Sequence, residues 1–135
     1  MIGPIHHVGI AVQNLEAALE RYRLLGLMPD AVEDLVPQGV RVAFLRAGGT
    51  KIEFVAPLSA QSTISRFLAT RGEGLHHLAF ASREITAELK ALAANGFELV
   101  DRTPRPGALG SRVAFVHPRS AHGVLLELVE DAKRA

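Results

Sequence analysis

The sequence predicts an α+β fold made of two tandem copies of one strand-helix-three-strand module. The segment IHHVGIA at 5–11 recurs as LHHLAFA at 75–81, and an offset of 70 positions puts His7 on His77. The same register continues through the following helix to the Gly that ends it. Two later segments also repeat, 42–45 at 113–116 and 52–55 at 126–129. A repeat that includes strands, a helix and a hairpin indicates an internal duplication.

The composition is that of an ordinary globular protein with a full hydrophobic core. Of the 135 residues, 48% are hydrophobic and 21% are charged, which excludes a disordered chain. The 15 basic and 14 acidic residues leave a net charge of +1, so nucleic acid and anionic membranes are disfavoured as partners. The chain contains no Cys, and a bound metal would have to use nitrogen and oxygen ligands.

The start of the chain has no recognisable targeting signal. Residues 1–4, MIGP, are not a basic segment followed by an apolar run. Nowhere does the sequence contain the roughly 18 consecutive apolar residues of a membrane span. We therefore expect a cytoplasmic protein without a membrane partner.

The first module is predicted to contain a strand, a helix and three further strands. Alternating side chains around the two His predict a strand at 5–12. Asn14 is a suitable N-cap for an amphipathic helix that ends at Gly26, and Gly48 and Gly49 indicate a hairpin turn. The three later strands are predicted at 31–36, 40–46 and 51–56.

The second module repeats this order of elements. Ser82 is the expected cap of a helix from about Arg83 to Ala94. Residues 103–111 form a long turn-rich loop, of a kind that often covers a substrate. The strands of this module are predicted at 75–81, 97–101, 112–117 and 123–129.

The two modules are expected to share one domain. Residues 59–71 have helical spacing and no counterpart in the repeat, so we expect a linker helix there. Two separate domains of under about 70 residues would each be only marginally stable. The predicted domain covers residues 1–135, with module one at about 5–57 and module two at about 75–130.

The two repeated His lie on strand faces that carry little other bulk. Because alternate side chains of a strand face opposite ways, His7 shares its face with Gly9 and Ala11. His77 shares its face with Ala79 and Ala81. On a concave sheet, small neighbours beside each His would leave room for an ion and a substrate.

Each module also places one Glu in the middle of an apolar strand, Glu53 in the first and Glu127 in the second. A carboxylate in apolar surroundings costs several kcal/mol unless it is paired or bound to a cation. No Lys or Arg recurs at equivalent positions of both modules, whereas one divalent cation would serve both carboxylates. Together with His7 and His77, the pattern predicts a site that suits Zn, Co, Mn, Ni or Fe.

The remaining His are interpreted as structural residues, and no nucleotide motif is found. His6 and His76 repeat but point away from the proposed ligands by strand parity. His117 and His122 have no His at the equivalent positions of the first module. The Gly-rich loop at 107–110 lacks the spacing and the strand-helix context of a dinucleotide site.

With these residues the chain resembles the vicinal-oxygen-chelate (glyoxalase/bleomycin-resistance/dioxygenase) superfamily, and within it the methylmalonyl-CoA epimerases. The likeness covers nearly all of residues 5–130. Its specific segments are 7–12, 51–53, 56–58, 72–79, 104–107, 115–118 and 123–128. The double His after Gly-Glu-Gly and the His-Pro before the last strand favour the epimerases over their relatives. The resemblance implies an open, cleft-like curved mixed sheet with helices on its outer face, usually in a homodimer.

The activity implied by the resemblance is that of an isomerase acting on an acyl-CoA. It interconverts (2R)- and (2S)-methylmalonyl-CoA by removing and returning the α-proton, with a divalent ion, Co, Zn, Mn or Ni, stabilising the enolate. The implied metal ligands are His7, Glu53, His77 and Glu127, with Gln in place of Glu53 in some members. Glu127 matches one of two glutamates proposed to move the proton, while the other falls at Val42. The second acid or base stays open between Glu53, Lys51 and a bound water.

Other functions of the same fold are alternatives. Glyoxalase I would use nearly the same four ligands on a hemithioacetal and is the enzymatic alternative. A metal-free resistance protein that sequesters small molecules would not require a His and a Glu in both modules. A ring-cleaving dioxygenase typically uses two His and one Glu with iron, and the fourth candidate ligand weighs against it.

Overall fold

The computed structural model describes residues 2–133, which form three helices and eight strands. The helices are α1 (Leu15–Arg23), α2 (Thr63–Arg71) and α3 (Ile85–Ala94). The strands are β1 (Ile5–Ala11), β2 (Pro29–Leu35), β3 (Val40–Ala47), β4 (Thr50–Pro57), β5 (Gly74–Ala81), β6 (Arg105–Pro106), β7 (Arg112–Val116) and β8 (Leu126–Glu130). Parallel and antiparallel strand pairs occur together, and the predicted α+β class is confirmed.

The chain divides into two compact units. The first unit is continuous, His7–His76, and the second joins the residues up to His6 to those from His77 onward. The order β-α-β-β-β occurs once from β1 to β4 and again from β5 to β8, with the predicted linker helix α2 between them. The tandem order of elements is therefore confirmed, while the assignment of both modules to one domain stays a prediction.

Each unit arranges its four strands in the same order. In the first unit the order is β2-β3-β4-β1, with antiparallel neighbours except for the parallel pair of β4 and β1. In the second unit it is β6-β7-β8-β5, and β8 is parallel to β5. The last strand of each module consequently lies beside the first, so the Glu-bearing strand is the neighbour of the His-bearing strand.

Helix α1 packs on one face of the sheet in the first unit. Asn14 caps the helix as predicted, because its Oδ1 accepts a hydrogen bond from the backbone N–H of Ala17 at 2.9 Å. Leu15 is buried in a cluster with Leu45 and Phe54. Phe54 follows Glu53 in β4 and points to the opposite face. The helix thus covers the face that does not carry the candidate ligands.

Helix α3 occupies the corresponding place in the second unit. Its residues Ile85 and Leu89 are buried in a cluster with Ala114 and Leu128. Leu128 follows Glu127 in β8, so this cluster also lies on the face away from the candidate ligand. Both modules therefore build their hydrophobic clusters on the helical side of the sheet.

The N-terminus of α3 is capped by a residue distant in sequence. The helix begins at Ile85, close to the predicted start at about Arg83, but the prediction of a Ser82 cap is wrong. Instead, Glu130 Oε2 accepts a hydrogen bond from the Ile85 N–H at 2.9 Å, and Glu130 Oε1 accepts one from Arg112 Nη2 at 3.1 Å. A carboxylate at a helix N-terminus satisfies an N–H group and interacts favourably with the helix dipole, whatever its position in the sequence.

We expect Glu130→Gln to lower the free energy of unfolding by about 1 kcal/mol near neutral pH, because the variant loses the charge at this helix end. The hydrogen bond from the Ile85 N–H, and then Arg112, lower the pKa of Glu130 below its ordinary value of 4.5. The contribution of a carboxyl with a lowered pKa is present above 4.5 and is lost as the pH falls through the folded-state pKa. Urea unfolding over this pH range should therefore show the parent and the variant converging in acid. An unchanged difference in acid would contradict the assignment.

The segment predicted as a strand at 97–101 does not form one. Leu99 makes a single bridge with Val116. Beyond it, Asp101 Oδ2 accepts a hydrogen bond from the Phe115 N–H at 2.9 Å, and the Asp101 N–H donates to Phe115 O at 3.2 Å. A side-chain acceptor takes the N–H group that a strand partner would need, so the ladder stops there. The two-residue strand β6 forms inside the predicted loop instead.

Candidate functional site

In the first unit, the His and the Glu of the repeat lie side by side. Gly9 of β1 is paired in register with Glu53 of β4, and His7 lies two residues before Gly9 on the same face. His7 Nε2 lies 3.3 Å from Glu53 Oε1, and the two residues are only 3% and 7% exposed. Because Gly9 has no side chain, nothing on β1 opposite Glu53 separates the carboxylate from the imidazole.

The second unit contains the same arrangement. Ala79 of β5 is paired in register with Glu127 of β8, and His77 precedes Ala79 by two residues. His77 Nε2 lies 3.3 Å from Glu127 Oε1, and both residues are buried. The two pairs therefore agree in strand register, distance and burial, as the sequence repeat predicts.

A Phe ring contacts the imidazole of each His–Glu pair. Neither Phe is identified as a site residue in the sequence analysis. Phe44 of β3 is paired in register with Glu53, and its ring meets the His7 ring edge-on, with centroids 5.5 Å apart. Phe115 of β7 is paired with Glu127, and its ring meets the His77 ring with centroids 5.7 Å apart. Such edge-to-face contacts favour one orientation of the imidazole. The sequence does contain a feature that could have identified them. The repeat of VAFL at 42–45 as VAFV at 113–116 places a Phe at the same position of both modules.

The chemistry of these side chains fits a divalent metal ion. Each pair offers an imidazole nitrogen and a carboxylate oxygen, the ligand types found for Zn and comparable metals. Burial of a carboxylate is costly unless a cation or hydrogen bonds compensate it. The buried side chains that can hold a metal ion are accordingly His7, Glu53, His77 and Glu127.

Three other His residues make contacts of a structural kind. His6 Nε2 lies 3.0 Å from Asp131 Oδ1. The His76 ring packs edge-on against Phe67 of α2, with centroids 4.7 Å apart. His117 caps the turn that follows it, because its Nδ1 accepts a backbone N–H at 3.0 Å. These contacts agree with the interpretation of His6, His76 and His117 as structural residues.

Two residues bear on the open question of a second acid or base. Val42 of β3 is 2% exposed and lies on the same face as Phe44. Position 42, where the resemblance would put the second glutamate, thus holds a side chain that cannot exchange a proton. Lys51 of β4 is paired in register with His7, and its Nζ lies 5.7 Å from the centroid of the Phe44 ring. Lys51 thus lies on the same face as the His7–Glu53 pair, whereas position 42 offers no carboxylate.

Comparison with known proteins agrees with this arrangement. The sequence profile of the Glyoxalase/Bleomycin resistance protein/Dioxygenase superfamily matches residues 6–115. An uncharacterized protein of Bacillus subtilis is 42% identical over 127 residues, covering 93% of this chain and 91% of the relative. An ethylmalonyl-CoA/methylmalonyl-CoA epimerase of Cereibacter sphaeroides is 39% identical over 131 residues, covering 95% of this chain and 98% of the relative.

Solved structures extend the likeness to the fold. A methylmalonyl-CoA epimerase in complex with methylmalonyl-CoA and NH4+ superposes with a TM-score of 0.94 at 35% identity, over 98% of this chain and 96% of that one. Proteins of this kind are isomerases. The chain therefore belongs to the methylmalonyl-CoA epimerase family of the glyoxalase/bleomycin-resistance/dioxygenase superfamily.

Proposed function

We propose that this protein interconverts the two C2 epimers of methylmalonyl-CoA by removing and returning the α-proton. The observation that carries the proposal is the buried His–Glu pair that occurs in each unit at the same strand register. The proposal is supported by two epimerases, the Cereibacter sphaeroides relative and the solved complex with methylmalonyl-CoA, which this chain matches along nearly their whole length. A cation bound for this reaction would also compensate the two buried carboxylates, which would otherwise be costly to bury.

The four buried side chains are proposed to bind one divalent cation, Co, Zn, Mn or Ni. Their number and kind support this ligand set, since two imidazoles and two carboxylates leave positions for substrate oxygens on such an ion. A cation held there would act as a Lewis acid toward the thioester and carboxylate oxygens of the substrate. The Phe44 and Phe115 rings would hold the two imidazoles in orientation.

Glu127 is proposed to accept the α-proton from C2 of the substrate. A carboxylate is a suitable general base for this step when it lies within hydrogen-bonding reach of the proton. The burial of Glu127 keeps bulk water away from its carboxylate, which strengthens the electrostatic interactions of that group and limits side reactions of the enolate. Inversion requires a second proton donor on the other face of C2, and Val42 cannot provide it.

Incubation in heavy water tests the proposed reaction. Metal-loaded protein should introduce deuterium at C2 of methylmalonyl-CoA and equilibrate the two epimers, as followed by mass spectrometry and chiral analysis. The same preparation should leave the hemithioacetal of methylglyoxal and glutathione unchanged. Conversion of the hemithioacetal without exchange at C2 would refute the epimerase proposal. The activity would then be that of glyoxalase I, which the same His and Glu residues would suit.

The assembly and the location of the protein stay predictions. We propose a homodimer in the cytoplasm. None of the helices in residues 2–133 combines the length and the apolar character that crossing a membrane requires.

A further inference from the structure

Lys51 occupies the same face of the first unit as the His7–Glu53 pair. It is paired in register with His7 across the parallel strands β1 and β4, and it precedes Glu53 by two residues in β4. Residues in register on neighbouring strands, and residues two apart on one strand, point to the same face. The side chain of Lys51 therefore lies on the face that carries His7 and Glu53, away from helix α1.

The ammonium group of Lys51 lies over the ring of Phe44, which itself contacts His7. Its Nζ is 5.7 Å from the centroid of the Phe44 ring, and Phe44 in turn meets His7 edge-on with centroids 5.5 Å apart. An ammonium over an aromatic ring is attracted by the negative face of the ring. This contact holds the positive charge beside the site and leaves its N–H donors available, since a ring is a weak acceptor.

The other Lys and Arg residues of the described strands have carboxylate partners. Arg41 Nε lies 2.6 Å from Asp34 Oδ1, and Arg46 Nη2 lies 3.3 Å from Asp30 Oδ2. In the second unit Arg105 stacks over Phe115 much as Lys51 does over Phe44, with 5.5 Å to the ring centroid, but it lies 3.5 Å from Asp101. Within residues 2–133, Lys51 makes no ion pair with a carboxylate. Among the Lys and Arg residues of the described strands, Lys51 is thus the one whose charge no carboxylate compensates.

We propose that Lys51 binds an anionic group of the acyl-CoA substrate, either the free carboxylate of the malonyl part or a phosphate of the nucleotide part. This inference rests on the proposed function. A divalent ion with two Glu ligands has no formal net charge, so it leaves the charge of an incoming substrate anion uncompensated. The ammonium of Lys51 would supply that compensation and would donate charge-assisted hydrogen bonds to the anion.

Calorimetric binding to metal-loaded Lys51→Met tests this role with three probes. Methylmalonyl-CoA carries both kinds of anion, coenzyme A carries only phosphates, and methylmalonyl-pantetheine carries only the carboxylate. We expect the variant to bind methylmalonyl-CoA about 10- to 100-fold more weakly than the parent, the typical range for losing a hydrogen bond to a charged group. A parallel loss with methylmalonyl-pantetheine alone identifies the carboxylate, and one with coenzyme A alone identifies a phosphate.

Two further variants control the experiment. Lys51→Arg keeps the charge and should recover most of the affinity, while Lys90→Met makes the same exchange at an exposed position of α3 and should bind like the parent. Metal content should be unchanged in Lys51→Met. Parent-like affinity of Lys51→Met for all three probes, or a loss that only follows lost metal, would overturn the proposal. A parent protein that binds none of the probes would refute the proposed function itself.

Discussion

His77→Ala should lower the affinity for the proposed divalent cation by more than about 100-fold. Loss of a residue that merely orients a ligand typically costs about 10- to 100-fold, and loss of a ligand should cost more. The variant also leaves the buried Glu127 without its imidazole partner. Metal analysis after dialysis against a buffered concentration of free zinc measures the effect directly.

The duplication provides a matched pair for this test. His7→Ala removes the equivalent imidazole of the first unit and should lower metal affinity to a similar extent, because the two pairs share register, distance and burial. His122→Asn is the control, since position 122 has a φ of 54° and Asn tolerates that conformation well. Full metal content in either His→Ala variant would show that the ligand set is wrong.

Glu127→Gln should reduce deuterium exchange at C2 of methylmalonyl-CoA by about 10²- to 10⁴-fold, the usual contribution of a general acid or base. The amide oxygen of Gln can still approach a metal ion, but an amide cannot accept the α-proton. Activity should therefore fall much more than metal content. The exchange rate and the metal content of the same preparation give the two quantities to compare.

Glu53→Gln is the matched variant for this comparison. It makes the same chemical change in the first unit, and some members of the family have Gln at this position. If Glu127 alone accepts the α-proton, Glu53→Gln should retain most of the exchange. Equal loss in both variants would assign the effect to the charge of the site and would contradict a separate role of Glu127 as base.

The sequence predicts both His–Glu pairs because it contains the two facts that determine them. Strand periodicity puts His7 on one face with small residues, and the internal repeat puts His77 in the same position of the second module. Adjacency of the Glu strand to the His strand then follows from the shared topology of the two units. The repeat alone also marks Phe44 and Phe115, but only their cross-strand register reveals their contact with the imidazoles.

Features that depend on contacts between distant residues were not predictable in this way. The cap on α3 comes from Glu130, 45 residues beyond Ile85, and no local pattern distinguishes it from the nearer Ser82. The interrupted strand near Leu99 depends on one hydrogen bond to the side chain of Asp101. In both cases a polar side chain competes with backbone pairing, and its partner becomes known only once the sheet has formed.

The sequence repeats in tandem, but the compact units are interleaved along the chain. The residues up to His6 belong with those from His77 onward, and the contacts of Gly3 with Ala81 and of His6 with Asp131 join these two segments of the second unit. In topological terms the first unit is an insertion into the second. Cutting the chain in the linker would therefore leave the N-terminal residues on the fragment that contains the first unit, separated from the second unit to which they belong. A circular permutant that is opened in the connection between the two units would make each unit continuous in sequence.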